Sequence, residues 1–322
     1  MILIPLLSVR RGKTNLTSAF NFKENLFKKS ETSEKDSNDK FFCVLDEACG
    51  KVVKIPDREF LYGVVASEMP ARFGDEALKA QAVASYTYFC RARNNFKNAE
   101  KKDKDYEFTV NSEKGTSYVT VKVLKTRWGD GFDKYYSKIK SAVDSVFGEV
   151  VEENGNLIFA AYHAISSGKT EKSSDVFGGD LKYLTNVESP GDKLVSGYET
   201  KVEVASNDFK KILSENFPDC IFCNKPLSWI GDLKRTDGGV VKEITVCSHV
   251  AKGTDIRKMF ALRSSDFDLN YSSENDKFVF TVRGYGHGVG MSQYGAEYMA
   301  KQGADYKKIL AWYYPGTTVA KL

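Results

Sequence analysis

Between residues 57 and 93 the apolar positions follow a helical period twice, with a break between. Phe60, Leu61, Val64 and Val65 recur at three- and four-residue spacing, which predicts a helix with one buried face. Pro70 biases Met69 away from helical backbone, so this helix is expected to end near Glu68. Leu78, Ala82, Tyr86, Phe89 and Arg93 form a second stripe. Asp57 and Asp75 stand where caps are expected. Elsewhere the pattern alternates. Phe41–Ile55 reads as a hairpin about Gly50, Glu107–Leu124 as one about Glu113-Lys114-Gly115, and Trp229–Val246 as one about Asp237-Gly238-Gly239. Asn154-Gly155 between Val151 and Leu157 is a tight-turn signal. Tyr135–Ser145 and Ser206–Asn216 read as short helices, and Phe278–Val282 as a strand. The expected fold is α+β, with antiparallel hairpins packed on the helical segment that carries Glu68. One domain is expected over residues 41–322, with a hairpin insertion near 100–130, a second lobe near 200–280 and a groove between the lobes.

Ahead of this domain the pattern changes. Met1–Val9 is apolar but far shorter than the ~20 residues of a membrane-spanning helix, and Arg10, Arg11 and Lys13 follow it. Residues 14–40 are polar, with no apolar side chain from Lys29 to Lys40. Residues 1–40 read as the remnant of an anchor or signal joined to a solvated linker; a floppy terminus fits the same residues.

Composition adds little to this picture. The chain has 322 residues, 42% hydrophobic and 28% charged, which is ordinary globular material. A net charge of +4 suits an anionic polymer such as cell wall. There is no RNP motif, zinc-finger spacing or basic helix to suggest nucleic acid. Six cysteines do not make a disulfide framework in a chain this long. Cys220-x-x-Cys223 and Cys247-x-His249 leave three readings open: a structural metal, a disulfide, or packed thiols.

The candidate chemistry gathers around Glu68. A carboxyl at a forced helix end among apolar neighbours has its pKa raised by the helix dipole and by burial, as a general acid near neutral pH requires. Two small-residue loops follow strands: Tyr162 to Thr170 around His163, Ser166 and Ser167, and Gly284 to Ala296 around His287, Gln293 and Tyr294. No HExxH, Gly-x-Ser-x-Gly or Gly-Lys-Ser/Thr motif occurs. A lone glutamate acid fits glycan cleavage. Hydrolysis ordinarily needs a second carboxylate, for which Asp175 is the candidate. Without one, a hydroxyl of the sugar itself serves as nucleophile.

Three separated blocks then resemble a known family. Glu59–Pro70 with Glu76–Ala84, His163–Gly179, and Gly284–Ala296 followed by Tyr313-Tyr314-Pro315-Gly316-Thr317 are similar to the stage II sporulation protein D family, over roughly Phe41 to Val319. The resemblance implies a peptidoglycan lytic transglycosylase. Such an enzyme cuts peptide-stripped glycan strands between N-acetylmuramic acid and N-acetylglucosamine and leaves 1,6-anhydro ends. It places the catalytic glutamate at Glu68 and needs no cofactor or metal. Tyr86, His163, Ser166, Ser167, Asp175, His287, Gln293, Tyr294 and Tyr314 are then expected to bind the glycan, with the glycine backbone close to the sugars. The resemblance further implies a membrane-anchored, extracytoplasmic protein in the mother-cell membrane during engulfment. Its expected partners are stage II sporulation proteins P and M. Some members of the wider superfamily are amidase enhancers, so a glycan-binding activator is the alternative. Tyr86-Thr87-Tyr88 stands where the family has Arg-Thr-Tyr, Ser166-Ser167-Gly168 where it has Ser-Gly-Gly, and Phe177 where it has Trp.

Overall fold

A computed structural model describes residues 40–99 and 104–322. The apolar start, the polar stretch to residue 39 and residues 100–103 of the charge run lie outside the described residues. Strand β1 (Phe41–Asp46) turns at Gly50 into β2 (Lys51–Pro56), which runs directly into α1 (Asp57–Glu68). Met69 is extended, with φ −120° and ψ 143°, as the residue before a proline favours. Helix α2 (Asp75–Asn98) follows after a short turn.

The two aspartates do not cap these helices. Pro56 takes the cap position of α1, and Asp57 is turned inward and buried. Arg93 Nη1 lies 2.9 Å from each Asp57 carboxylate oxygen, and the Tyr86 hydroxyl donates to Asp57 Oδ2 at 3.0 Å. A buried charge that has a partner on hand is drawn to it rather than to the helix end. At α2 the cap position falls to Gly74, whose N–H donates to Glu297 at 2.5 Å.

The chain continues through β3 (Phe108–Val110), α3 (Val121–Trp128), α4 (Phe132–Val146), β4 (Glu149–Glu153), β5 (Asn156–Leu157), β6 (Tyr162–His163) and the short α5 (Ser173–Val176). It then builds β7 (Glu199–Ala205), α6 (Ser206–Asn216), β8 (Ile230–Arg235), β9 (Val241–Val246), β10 (His249–Lys252), α7 (Gly253–Met259), β11 (Asp266–Ser272) and β12 (Lys277–Arg283). It returns through β13 (Met291–Ser292), α8 (Gln293–Lys301), α9 (Tyr306–Tyr313) and β14 (Thr318–Lys321).

The result is the expected α+β mixture of helices and small sheets, ordered β2-β1-β3, β14-β4-β5, β13-β6, β11-β12-β7 and β10-β9-β8. Most pairings are antiparallel, but β3 runs parallel to β1 and β13 parallel to β6. The expected hairpin at 107–124 is reduced to one antiparallel bridge, Asn111 to Thr116, about the predicted turn. Its first arm adds to the edge of β1, and its second arm becomes α3, started by Thr120, whose hydroxyl accepts from Val123 N–H at 3.4 Å. A local β-rich composition yielded to a non-local strand edge and a helix cap.

Two apolar cores result. The larger surrounds α2 and includes Phe42, Phe60, Leu78, Phe89, Ile139, Val151, Tyr313 and Tyr314. Alanines at 77, 80, 82 and 84 give α2 a thin profile, so α1, α4, β4, α8 and α9 can all pack on it. Gly63 serves the same purpose on α1, because a Cβ there would enter the Tyr118 ring. The smaller core lies within residues 209–282 and includes Phe209, Trp229, Ile244, Phe267, Phe278 and Phe280, with Phe209 stacked on Phe278 at 3.8 Å between centroids. Each buried aromatic or aliphatic side chain contributes about 1.5–3 kcal/mol.

Candidate active site

The end of α1 leaves Glu68 at the floor of a cleft of about 610 Å³. One wall comes from α2 and the β6 approach: Tyr88, Phe89, Phe159, Ala160, Ala161 and Tyr162, with Phe177 and His287. The other is the polar rim of the β1–β3 sheet: Glu47, Thr109, Asn111, Lys114, Thr116 and Ser117. Every lining residue belongs to the larger lobe. The groove expected between the lobes is thus displaced, because the edge of β1–β3, and not residues 199–283, stands opposite Glu68.

Glu68 is 5% exposed. Gln293 Nε2 lies 3.4 Å from its Oε2 and 3.3 Å from Gln81 Oε1. The Gln81 amide in turn donates to Ser85 at 2.9 Å, and Ser85 reaches the Tyr162 hydroxyl at 3.5 Å. Burial pushes the Glu68 carboxyl up to about 7, against a smaller downward pull from the Gln293 amide. A group that titrates near neutrality can both give and accept a proton under the same conditions.

His163 and His287 face each other with ring centroids 5.7 Å apart. One residue orients both: the Val289 carbonyl accepts from His163 Nδ1, and the Val289 N–H donates to His287 Nδ1, each at 3.1 Å. Burial lowers His163 to about 4. Burial, and then the neighbouring His163, lower His287 to about 3. Both rings are neutral at ordinary pH. His163 Nε2 is buried without a hydrogen-bond partner, and its Nδ1 proton makes that nitrogen an acceptor.

The remaining expected residues fall elsewhere. Tyr86 points into the core, toward Asp57 and Phe42. Position 86 therefore belongs to the core of this chain and does not line the cleft. Tyr314 is fully buried, its hydroxyl donating to the Ala161 carbonyl at 2.8 Å. Tyr294 packs edge-on against Phe73 at 5.0 Å. Ser166 is buried and donates to Asp192 Oδ2 at 2.5 Å, while Ser292 donates to Asp192 Oδ1 at 2.8 Å, so one carboxylate ties the two loops together. Ser167 turns to the smaller lobe, where its carbonyl accepts from Tyr198 at 2.9 Å and its hydroxyl bonds Asp266. Asp175 stands 3.7 Å from Lys242 and does not line the cleft. The glycines approach protein rather than leaving room for sugar. Gly290 has φ 73°, and a Cβ there would collide with the Ala161 carbonyl.

Glu68, Gln293 and His287 are the expected residues gathered around the cleft. Gln81, Tyr88, Phe159, Tyr162, Asn111 and Lys114 were not expected at the site, and Phe177 was noted only as a departure from the family's tryptophan. A signal existed for part of this set: Gln81, Ser85 and Tyr88 recur at helical spacing, on a different face of α2 from the Leu78–Arg93 stripe. Phe177 in place of tryptophan keeps an aromatic wall, 5.1 Å from His287.

The arrangement defines a class: an α+β protein with one neutrally titrating carboxyl beneath an aromatic-walled cleft. Sequence comparison makes this particular. A family model described as stage II sporulation protein matches residues 46–152, the segment that carries α1, Glu68 and α2. Stage II sporulation protein D of Bacillus subtilis is 34% identical over 271 residues, 84% of this chain and 76% of that protein. The protein of the same name from Bacillus amyloliquefaciens is 32% identical over the same shares. The amidase enhancer of Bacillus subtilis is 27% identical over 80% of this chain and 40% of that protein. The chain belongs to the stage II sporulation protein D family.

Proposed function

We propose that this protein acts on the cell wall in sporulation as a lytic transglycosylase, with Glu68 as its acid and base. The observation that carries this reading is the buried Glu68 carboxyl, raised to about 7, at the floor of the aromatic cleft. A protonated Glu68 gives its proton to the glycosidic oxygen as the bond from C1 of the muramyl sugar breaks. The C6 hydroxyl of that sugar then closes on C1, and its proton returns to Glu68. The acid is regenerated, and the products are an anhydro end and a free hydroxyl end. Asp175, held by Lys242, lies outside the cleft and gives no partner for a hydrolytic pair. The other carboxylate among the lining residues is Glu47, on the polar rim. Tyr88, Tyr162, Phe159 and Phe177 offer flat apolar faces to pyranose rings, and the rim offers hydrogen bonds to their hydroxyls.

By the same family resemblance, the protein works outside the cytoplasm from a membrane tether, beside stage II sporulation proteins P and M. Among the described residues no helix is long and apolar enough to cross a membrane. The test is digestion of peptide-free glycan strands by wild type and Glu68→Gln, read by mass spectrometry. Anhydro ends from wild type alone support the reading, and reducing ends refute it. The match to an amidase enhancer favours one alternative, a glycan-binding activator. Retained glycan binding without cleavage by either protein would establish it.

A further inference from the structure

Away from the cleft, the smaller lobe brings three cysteines to one end. Cys220 and Cys223 lie in the loop after α6. Cys247 sits in the two-residue turn between β9 and β10, across which Val246 pairs with His249. Cys220 lies near enough to Cys247 to help push its thiol up, and it packs on the apolar cluster that contains Cys247. Cys247 is buried, Cys220 half-buried and Cys223 exposed. Trp229 ties the two segments together: its carbonyl accepts from Cys247 N–H, and its indole N–H donates to the Cys223 carbonyl, both at 2.9 Å.

The turn itself is unusual. Cys247 and Ser248 have φ values of 46° and 75°. Two successive left-handed residues suit a tight hairpin turn, but such turns favour Asn, Asp and Gly, because a Cβ is crowded there. A conformation of that kind persists where its surroundings over-determine it. Here it holds Cys247 beside the apolar cluster on which Cys220 packs.

We propose that Cys220 and Cys247 are a reversible disulfide pair, with the exposed Cys223 as the thiol through which exchange enters. The oxidant is an external disulfide. The Cys223 thiolate attacks one of its sulfurs and expels the first external thiol. Cys220 displaces the second from Cys223, and Cys247 then takes Cys220 and frees Cys223. The sum is two protein thiols and one external disulfide giving one protein disulfide and two external thiols. The Ser228 hydroxyl, 2.8 Å from Cys223 Sγ, holds that thiol below its usual range, which suits the attacking group. Burial pushes Cys247 up to about 12, which suits the last partner to react. A metal is the competing use of these sulfurs, but the side chains are committed otherwise. His249 stacks on Phe217 at 5.3 Å, and among the described residues no group of three or more His, Cys, Asp or Glu is placed to hold an ion. The bond would fasten the loop after α6 to the β8–β10 sheet.

The test uses the full reduced chain, incubated with oxidised glutathione, quenched by alkylation and mapped after trypsin. Cys220 and Cys223 share one tryptic peptide, so fragmentation assigns the bridge. The expected product is a Cys220–Cys247 crosslink with Cys223 alkylated, reversed by dithiothreitol. Cys223→Ser should give the same crosslink several-fold more slowly. Full alkylation of all three after oxidation, a Cys220–Cys223 crosslink as the end product, or stoichiometric zinc that protects the thiols until a chelator removes it would each overturn the proposal.

Discussion

Replacing Glu68 with glutamine turns the raised carboxyl into a stability measurement that needs no substrate. The side chain is buried, with Gln293 as its hydrogen-bonding neighbour. Below about pH 4.5, its unfolded value, the carboxyl is protonated whether the chain is folded or not. From there to about 7 the unfolded chain releases the proton while the folded chain keeps it, so stability falls as pH rises. Above about 7 the loss is complete. At ~1.4 kcal/mol per unit the difference amounts to about 3 kcal/mol. Glutamine has the same shape and no charge to bury, and its oxygen can still accept from Gln293. Glu68→Gln should therefore match wild type near about pH 4 and exceed it by about 3 kcal/mol near about pH 8. In a thermal scan that is roughly 6–12 °C. Urea midpoints of both proteins from acid to mild alkali would measure it. Curves that stay parallel across the range would mean that Glu68 titrates as an ordinary carboxyl, and the argument for its role as an acid would fall with them.

The same carboxyl should give activity a falling limb near pH 7 as it ionises, and Gln293→Leu, which removes the amide that lowers it, should move that limb upward in a kcat/KM profile. The histidines act in the opposite direction: held at about 4 and about 3, they stay neutral in the folded chain while the unfolded chain takes up protons below about 6.5, so stability is lost as pH falls. His163→Asn should flatten that part of the urea-midpoint curve. Arg93→Met strands the Asp57 charge and should cost about 3–5 kcal/mol in denaturant unfolding. Gly290→Ala should yield little folded protein by thermal scan, since its φ of 73° and the Ala161 carbonyl both oppose a side chain.

Much of the frame was legible because it depends on neighbours in sequence. The stripe from Phe60 to Val65 and the Met69-Pro70 step determined where α1 ends, and hence where Glu68 stands. Asn154-Gly155 and Asp237-Gly238-Gly239 determined two hairpins, since left-handed or unhindered backbone is a local property. Glu68 itself was legible as a raised carboxyl among apolar neighbours, and burial is what raises it. Tertiary structure decided what those features face. Tyr86 and Tyr314 look like residues for stacking on sugar, but each hydroxyl found an internal acceptor, and the rings fill the core. Ser166 and Asp175 sit on exposed-looking loops, and partners distant in sequence, Asp192 and Lys242, claimed them. The far wall of the cleft arose from β3 pairing beside β1, a contact no local pattern encodes. Helix ends and turns follow from sterics within a few residues. Which polar group is buried, and against what, depends on the strand edges and charges that folding brings alongside it.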